Sequence, residues 1–296
     1  LANVKQGAGV WGDYDNDGDL DLVLVGDQAT YVPFGAVYRN DGNDHFVQID
    51  SGISGAFNST AAWGDYDNDG NLDLVVAGYN SNFSGGVATL LYRNLGAQAT
   101  GSRFALVALP LVGVGNGTLS WVDADNDGTL DLMVTGNTRP FLLGIVTTSK
   151  LYRNTQTEDG TVNLVESSLS LPGIYDGSAI WGDYDADGRS DLALAGWDGA
   201  VNWVRLYHNQ SILGSGAISL TQSAAFAPLG KDTVDWGDYD NDGDLDLLTT
   251  SYTQDGTKFY RNDGGPGSTP NFSTVTPTLP GIRNGNVTWS DVDGDG

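Results

Sequence analysis

The chain runs to 296 residues, with 38 Asp and Glu against 13 Lys and Arg, a net charge of −25 and no cysteine. Twenty-five of the acids fall in six short loops and the remaining thirteen balance the thirteen bases, so the excess charge is local. That charge argues against nucleic acid or an anionic membrane as partner. The missing cysteines exclude disulfides, and the longest apolar stretch, Phe104–Val112, is too short to span a bilayer and holds Pro110.

Taken in chain order, the first feature is a register. Leu1-Ala-Asn-Val4 lies over Leu171-Pro-Gly-Ile174 and Leu279-Pro-Gly-Ile282, so the chain opens inside a repeat. Next comes a short strand ending in tryptophan. It recurs at Trp11, Trp63, Trp121, Trp181, Trp236 and Trp289, spaced by 52, 58, 60, 55 and 53 residues. After each tryptophan stands an acidic loop, then an apolar strand such as Leu192-Ala-Leu-Ala-Gly196. A third strand closes on Tyr38-Arg39-Asn40, Tyr92-Arg93-Asn94, Tyr152-Arg153-Asn154, Tyr207-His208-Asn209 or Tyr260-Arg261-Asn262. A weaker fourth strand carries an aromatic or aliphatic side chain, as at Phe46 and Phe272. Nothing follows a helical period, so the chain reads as all-β, and 42 glycines suit the tight turns required.

Four short strands repeated about every 55 residues match a propeller blade better than a solenoid rung, whose repeats are shorter. The expected architecture is one partial β-propeller of four-stranded antiparallel blades. Its repeats lie near 1–52, 53–110, 111–170, 171–227 and 228–280, with the start of a sixth at 281–296. Both ends fall within repeats, so the chain is expected to be a piece of a longer one, and a missing signal peptide carries no weight.

The loops can be compared position by position within the one chain. Position 1 is Asp13, Asp65, Asp123, Asp183, Asp238 and Asp291. Position 3 is Asp15, Asp67, Asp125, Asp185, Asp240 and Asp293, and position 5 is Asp17, Asp69, Asp127, Asp187, Asp242 and Asp295. Glycine always fills position 6, as a sharp turn with positive φ requires. Position 7 is Asp19, Asn71, Thr129, Arg189 or Asp244. Arginine cannot ligate a cation, so this position is read as offering its backbone carbonyl. Position 9 is Asp21, Asp73, Asp131, Asp191 or Asp246, read as the bidentate ligand. So many carboxylates in one small sphere repel one another without a hard cation, and Ca²⁺ takes six to eight oxygens. Five complete Ca²⁺ sites and a truncated sixth are therefore expected. The loop is not an EF-hand, because its last acid stands at position nine and strands flank it.

Trp-Gly-Asp-Tyr-Asp-Asn-Asp-Gly-Asp-Leu-Asp-Leu, followed by Tyr-Arg-Asn-Asp-Gly and a phenylalanine, resembles the FG-GAP/VCBS repeat across essentially the whole chain. That resemblance implies blades like those of the integrin α-subunit propeller and of many secreted bacterial proteins, in a seven- or eight-bladed ring. It also implies a protein ligand on the rim opposite the metal loops. The strand 2–3 loops of that rim vary most, as binding loops on a rigid scaffold do. Tyr31, Phe34, Tyr79, Phe83, Phe141, Trp197, Trp203 and Tyr252 are candidates there for an aromatic platform binding a sugar or a peptide.

His45 and His208 are the only histidines and read as strand residues. No nucleophile elbow, zinc-protease motif or phosphate loop is present, and most carboxylates are committed to metal. The chain is accordingly expected to be a non-enzymatic adhesion or ligand-binding module working outside the cell, where calcium is plentiful. A polysaccharide lyase propeller and a structural spacer are the alternatives.

Overall fold

The computed structural model describes residues 1–29, 31–83, 86–96, 102–139, 143–156, 161–212, 216–226, 233–250, 256–265, 270–275 and 288–289. No helix occurs among them. They form five antiparallel sheets of four strands, each paired in chain order as in propeller blades.

Blade 1 is β1 (Lys5–Gly12), β2 (Asp21–Ala29), β3 (Val32–Asn40) and β4 (Phe46–Gln48). Blade 2 is β5 (Phe57–Gly64), β6 (Asp73–Tyr79), β7 (Val87–Asn94) and β8 (Phe104–Val107). Blade 3 is β9 (Leu119–Val122), β10 (Asp131–Asn137), β11 (Thr147–Asn154) and β12 (Leu164–Glu166). Blade 4 is β13 (Tyr175–Gly182), β14 (Asp191–Trp197), β15 (Asn202–Asn209) and β16 (Leu220–Phe226). Blade 5 is β17 (Thr233–Gly237), β18 (Asp246–Thr250), β19 (Lys258–Asn262) and β20 (Phe272–Val275). Each third strand ends on the asparagine of the Tyr-Arg-Asn motif or its Tyr-His-Asn variant.

The chain divides into two compact units. The first comprises Leu1–Trp121 and Gly128–Gly173, the second Val122–Asp127 and Ile174–Gly296. In the first unit, successive side chains of one strand point to opposite faces. Leu74 and Val76 of β6 join Val23, Val25 and Val37 of blade 1 in one cluster. Val75 and Ala77 of the same strand join Leu132, Val134 and Tyr152 of blade 3 in another. The strand is thus buried on both sides, which is why its sequence is apolar throughout. In the second unit, Ala193, Ala195, Val204 and Leu206 of blade 4 meet Val234, Leu247 and Tyr260 of blade 5 in the same way.

Tryptophan and glycine interlock between neighbouring blades. A Cβ on Gly12 would lie 2.7 Å from Trp63 Cδ1, and one on Gly64 would lie 2.6 Å from Trp121 Cδ1. In the second unit, Gly182 meets Trp236 and Gly237 meets Trp289 at comparable distances. Where the dipeptide is Trp-Gly, its glycine is the hole for the tryptophan of the next repeat; blade 3, with Trp121-Val122, lacks it. Gly64→Ala is expected to destabilise the protein by about 1–3 kcal/mol through overpacking. Urea unfolding checks this, and an unchanged midpoint would show that Trp121 can move aside.

Candidate metal centre

The first, second, fourth and fifth loops are closed by pairing the glycine before position 1 with the aspartate at position 9, for example Gly12 with Asp21 and Gly64 with Asp73. The turn is made by two residues of positive φ. Glycine at position 6 has φ between 86 and 95°, as the sequence predicts. Position 4 is also left-handed, at Asn16, Asn68, Asn126, Ala186 and Asn241. Asparagine tolerates that region well and alanine does not, so the fourth loop holds a strained Ala186.

In the first, second, fourth and fifth loops, three carboxylates hold the loop's own backbone. Position 1 accepts the N–H groups of positions 5 and 6: Asp65 Oδ1 from Asp69 at 3.0 Å and Oδ2 from Gly70 at 2.9 Å. Asp13, Asp183 and Asp238 repeat both bonds. Position 5 accepts the N–H of position 7, as Asp17 does from Asp19 at 2.9 Å. Position 9 is fully buried in all five loops. In the first, second, fourth and fifth loops its Oδ2 accepts the N–H of position 2, as Asp73 does from Tyr66 at 3.2 Å. Its Oδ1 accepts the N–H of the motif asparagine, 2.7–2.8 Å away at Asn40, Asn94, Asn154, Asn209 and Asn262. A carboxylate oxygen has two lone pairs, so each of these keeps capacity for a cation.

Position 3 differs. The Oδ1 atoms of Asp15, Asp67 and Asp185 are shielded from solvent and accept no hydrogen bond. Asp67 and Asp185 as whole residues are 9% and 6% exposed. A buried carboxylate oxygen without a donor is costly. Each of these residues also stands in a cluster of carboxylates. Asp13, Asp15 and Asp17 each bring one oxygen within 4.8 Å of the others, as do Asp65, Asp67 and Asp73, Asp123, Asp125 and Asp127, and Asp183, Asp185 and Asp187. These donor sets are all oxygen and fit a hard divalent ion. Residues 128–131 of the third loop lie in the first compact unit and residues 123–127 in the second. Asp291, Asp293 and Asp295 lie outside the described residues.

Burial pushes four of the position 9 carboxylates up, against the two backbone N–H bonds each of them accepts. Asp21 rises to about 6 and Asp73 to about 8, and the neighbouring loop carboxylates add to both shifts. Asp191 and Asp246 move the same way for the same first cause. At position 3, burial followed by the carboxylate at position 5 raises Asp15, Asp67 and Asp185.

The sequence reading missed the ties between loops. The side-chain amide of Asn94 donates to the Tyr14 carbonyl of the preceding loop at 2.7 Å and to Leu72 O of its own at 3.0 Å. Asn154 does the same to Tyr66 and Leu130, and Asn262 to Tyr184 and Leu245. In the second unit, Asn209 holds Ala124 O at 2.9 Å, which helps tie residues 122–127 to blade 4. At position 4, Asn16 donates to Gly70 O, Asn68 to Gly128 O and Asn126 to Gly188 O. The signal was present, since asparagine recurs at both places, but the acceptors are backbone carbonyls that sequence does not mark.

The aromatic platform is corrected in part. Tyr79 and Trp203 are 1% and 5% exposed, because β6 and β15 extend far enough to turn them into the sheets. The Tyr79 hydroxyl accepts from Asn137 Nδ2 at 2.7 Å, and Trp203 Nε1 donates to Asp198 at 2.9 Å. Tyr31 is half exposed, and Phe34, Phe83 and Trp197 are half-buried. Phe141 and Tyr252 lie outside the described residues.

The FG-GAP-like repeat matches residues 13–76, 65–134 and 183–249, each match taking in two successive loops or a loop with the strands that follow it. The chain belongs to the FG-GAP-like repeat family. No curated protein matches it in sequence. Among solved structures, this FG-GAP-like chain is similar to the crystal structure of alpha-L-arabinofuranosidase from Lactobacillus brevis. The likeness has 11% identity and a TM-score of 0.44, and covers 95% of this chain and 96% of that one. That protein is an enzyme, so the expectation that this chain is not one is withdrawn. A likeness of that degree brings no substrate or catalytic residue with it.

Proposed function

We propose that this FG-GAP-like chain is a calcium-binding β-propeller-type protein of the extracellular space, in which Ca²⁺ braces the strand 1–2 loops and the opposite blade ends meet a protein or glycan ligand. The observation that carries the metal reading is the position 3 carboxylate. One inner oxygen at Asp15 and at Asp67 accepts no hydrogen bond, and each residue belongs to a cluster of acids. A cation supplies what the protein does not. The strand 2–3 loops sit on blades whose cores are closed by apolar packing, which suits variable loops on a rigid support. Extracellular modules bind Ca²⁺ with Kd of roughly 10⁻⁴–10⁻³ M, and the cytosol does not fill sites that weak.

Calorimetric titration of metal-stripped protein with CaCl₂ tests the reading. Binding is expected at several sites, and Asp67→Asn, which keeps the shape but removes a charge, is expected to lose the second loop's share. No heat on adding Ca²⁺ would end the proposal for the loops. Glycan and matrix-protein arrays probed with calcium and with chelator test the ligand surface, and silence in both would end that part alone.

A further inference from the structure

The fourth loop is built differently from the others. In blade 2 the motif arginine lies across its loop: Arg93 Nε is 2.7 Å from Asp67 Oδ2 and Nη2 is 3.1 Å from Asp69 Oδ2. A guanidinium there neutralises two acids and can ligate nothing. Blade 4 has His208 in that place, the one motif copy without arginine. Its Nδ1 lies 3.2 Å from Asp185 Oδ2 and 3.3 Å from Asp191 Oδ1. It is shielded from solvent and makes no hydrogen bond. Asp191 is fully buried, Asp185 is 6% exposed, and the other oxygen of Asp185 has no donor.

We propose that His208, Asp185 and Asp191 form a site for a borderline divalent transition metal, of which Zn²⁺ is the type, distinct in its ion from the all-oxygen loops. Imidazole nitrogen suits zinc and its neighbours and is not a calcium ligand. The bland alternative is an imidazolium paired with two aspartates. Charge-assisted N–H···O bonds are about 2.7–2.9 Å long, and both separations here exceed that. Ligand atoms held about 2.0 Å from a tetrahedral ion stand about 3.3 Å apart, which is the spacing seen. Arg189 at position 7 pairs with Asp187 and donates to Asn209 O at 2.7 Å, so a guanidinium already neutralises the position 5 carboxylate of this loop. The three-residue set leaves a fourth position for water.

The inference rests on the loops being cation sites but not on the ion in the other loops being calcium. The probe is Co²⁺, added to metal-stripped full-length chain in millimolar Ca²⁺ and followed by its visible ligand-field absorption. One equivalent is expected to give an intense tetrahedral-type spectrum that one equivalent of Zn²⁺ abolishes. His208→Arg restores the residue of the other repeats and so is expected to fold, and it should lose at least tenfold in Co²⁺ affinity. His45→Ala, which removes the exposed second histidine, should keep the spectrum. Absence of the spectrum from the unmutated chain, its survival in His208→Arg or its loss in His45→Ala would overturn the site. A silent Ca²⁺ titration with the Co²⁺ spectrum intact would sink the calcium reading and leave this one standing.

Discussion

Stripped of divalent ions, the protein is expected to melt at a temperature that falls as pH is raised from about 5 to about 8, and millimolar Ca²⁺ should turn that slope round. The sign follows from the position 9 aspartates. In an unfolded chain they titrate near 3.9. In the folded, metal-free protein, burial lifts Asp21 to about 6 and Asp73 to about 8, and lifts Asp191 and Asp246 as well. The folded state therefore holds more protons across that window. Its extra stability is fully present below the unfolded value and is lost as pH rises through the folded ones. Calcium needs the ionised form, so protons and Ca²⁺ compete, and the ion's contribution grows over the same range. A site filled at about 100 times its Kd adds about 2.7 kcal/mol. Since about 1 kcal/mol moves Tm by roughly 2–4 °C, even two filled sites would separate calcium from chelator by roughly 10 °C at the alkaline end. Circular dichroism melts at a series of pH values, in calcium and in EDTA, make the comparison. Parallel profiles would mean that the carboxylates do not govern stability.

The strands, their order and the turns of the acidic loops were legible because each is written several times. The apolar stretch after the acidic loop marked β14 and its equivalents as strands, and comparison across copies marked Gly18 and its equivalents as turn residues and the acids as one cluster per loop. What could not be read depends on faces and distances across the chain. His208 was placed correctly in a third strand, but periodicity alone does not say that its ring looks onto Asp185 and Asp191. Tyr79 and Trp203 stood where loops were expected, and two more residues of strand turned them inward. The motif asparagines were visible as a repeated letter. Their partners lie 78 to 88 residues away and are carbonyl oxygens, which every residue has.

Those asparagines give the second large effect. Asn94 is 1% exposed and uses its whole side chain. Its amide donates to Tyr14 O and Leu72 O, while its oxygen accepts Gly96 N–H at 3.0 Å and Arg103 Nε at 2.9 Å. Asn94→Ala removes the donor to the Tyr14 carbonyl and to Leu72 O. Loss of a buried donor costs about 1–3 kcal/mol per orphaned partner, and the two carbonyls together set the expectation at about 2–4 kcal/mol. Chemical denaturation checks the figure. Asn94→Asp separates hydrogen bonding from packing, because it keeps the shape and the acceptor but sets a carboxylate against two carbonyl oxygens. Those oxygens favour the protonated acid, so its pKa is expected to rise on folding. The deficit of Asn94→Asp relative to the unmutated protein at equal pH should then be smallest below about pH 4 and widen as pH rises. A deficit that does not change with pH would place the loss in packing and take the donated bonds out of the account of how one blade holds the loop of the blade before it.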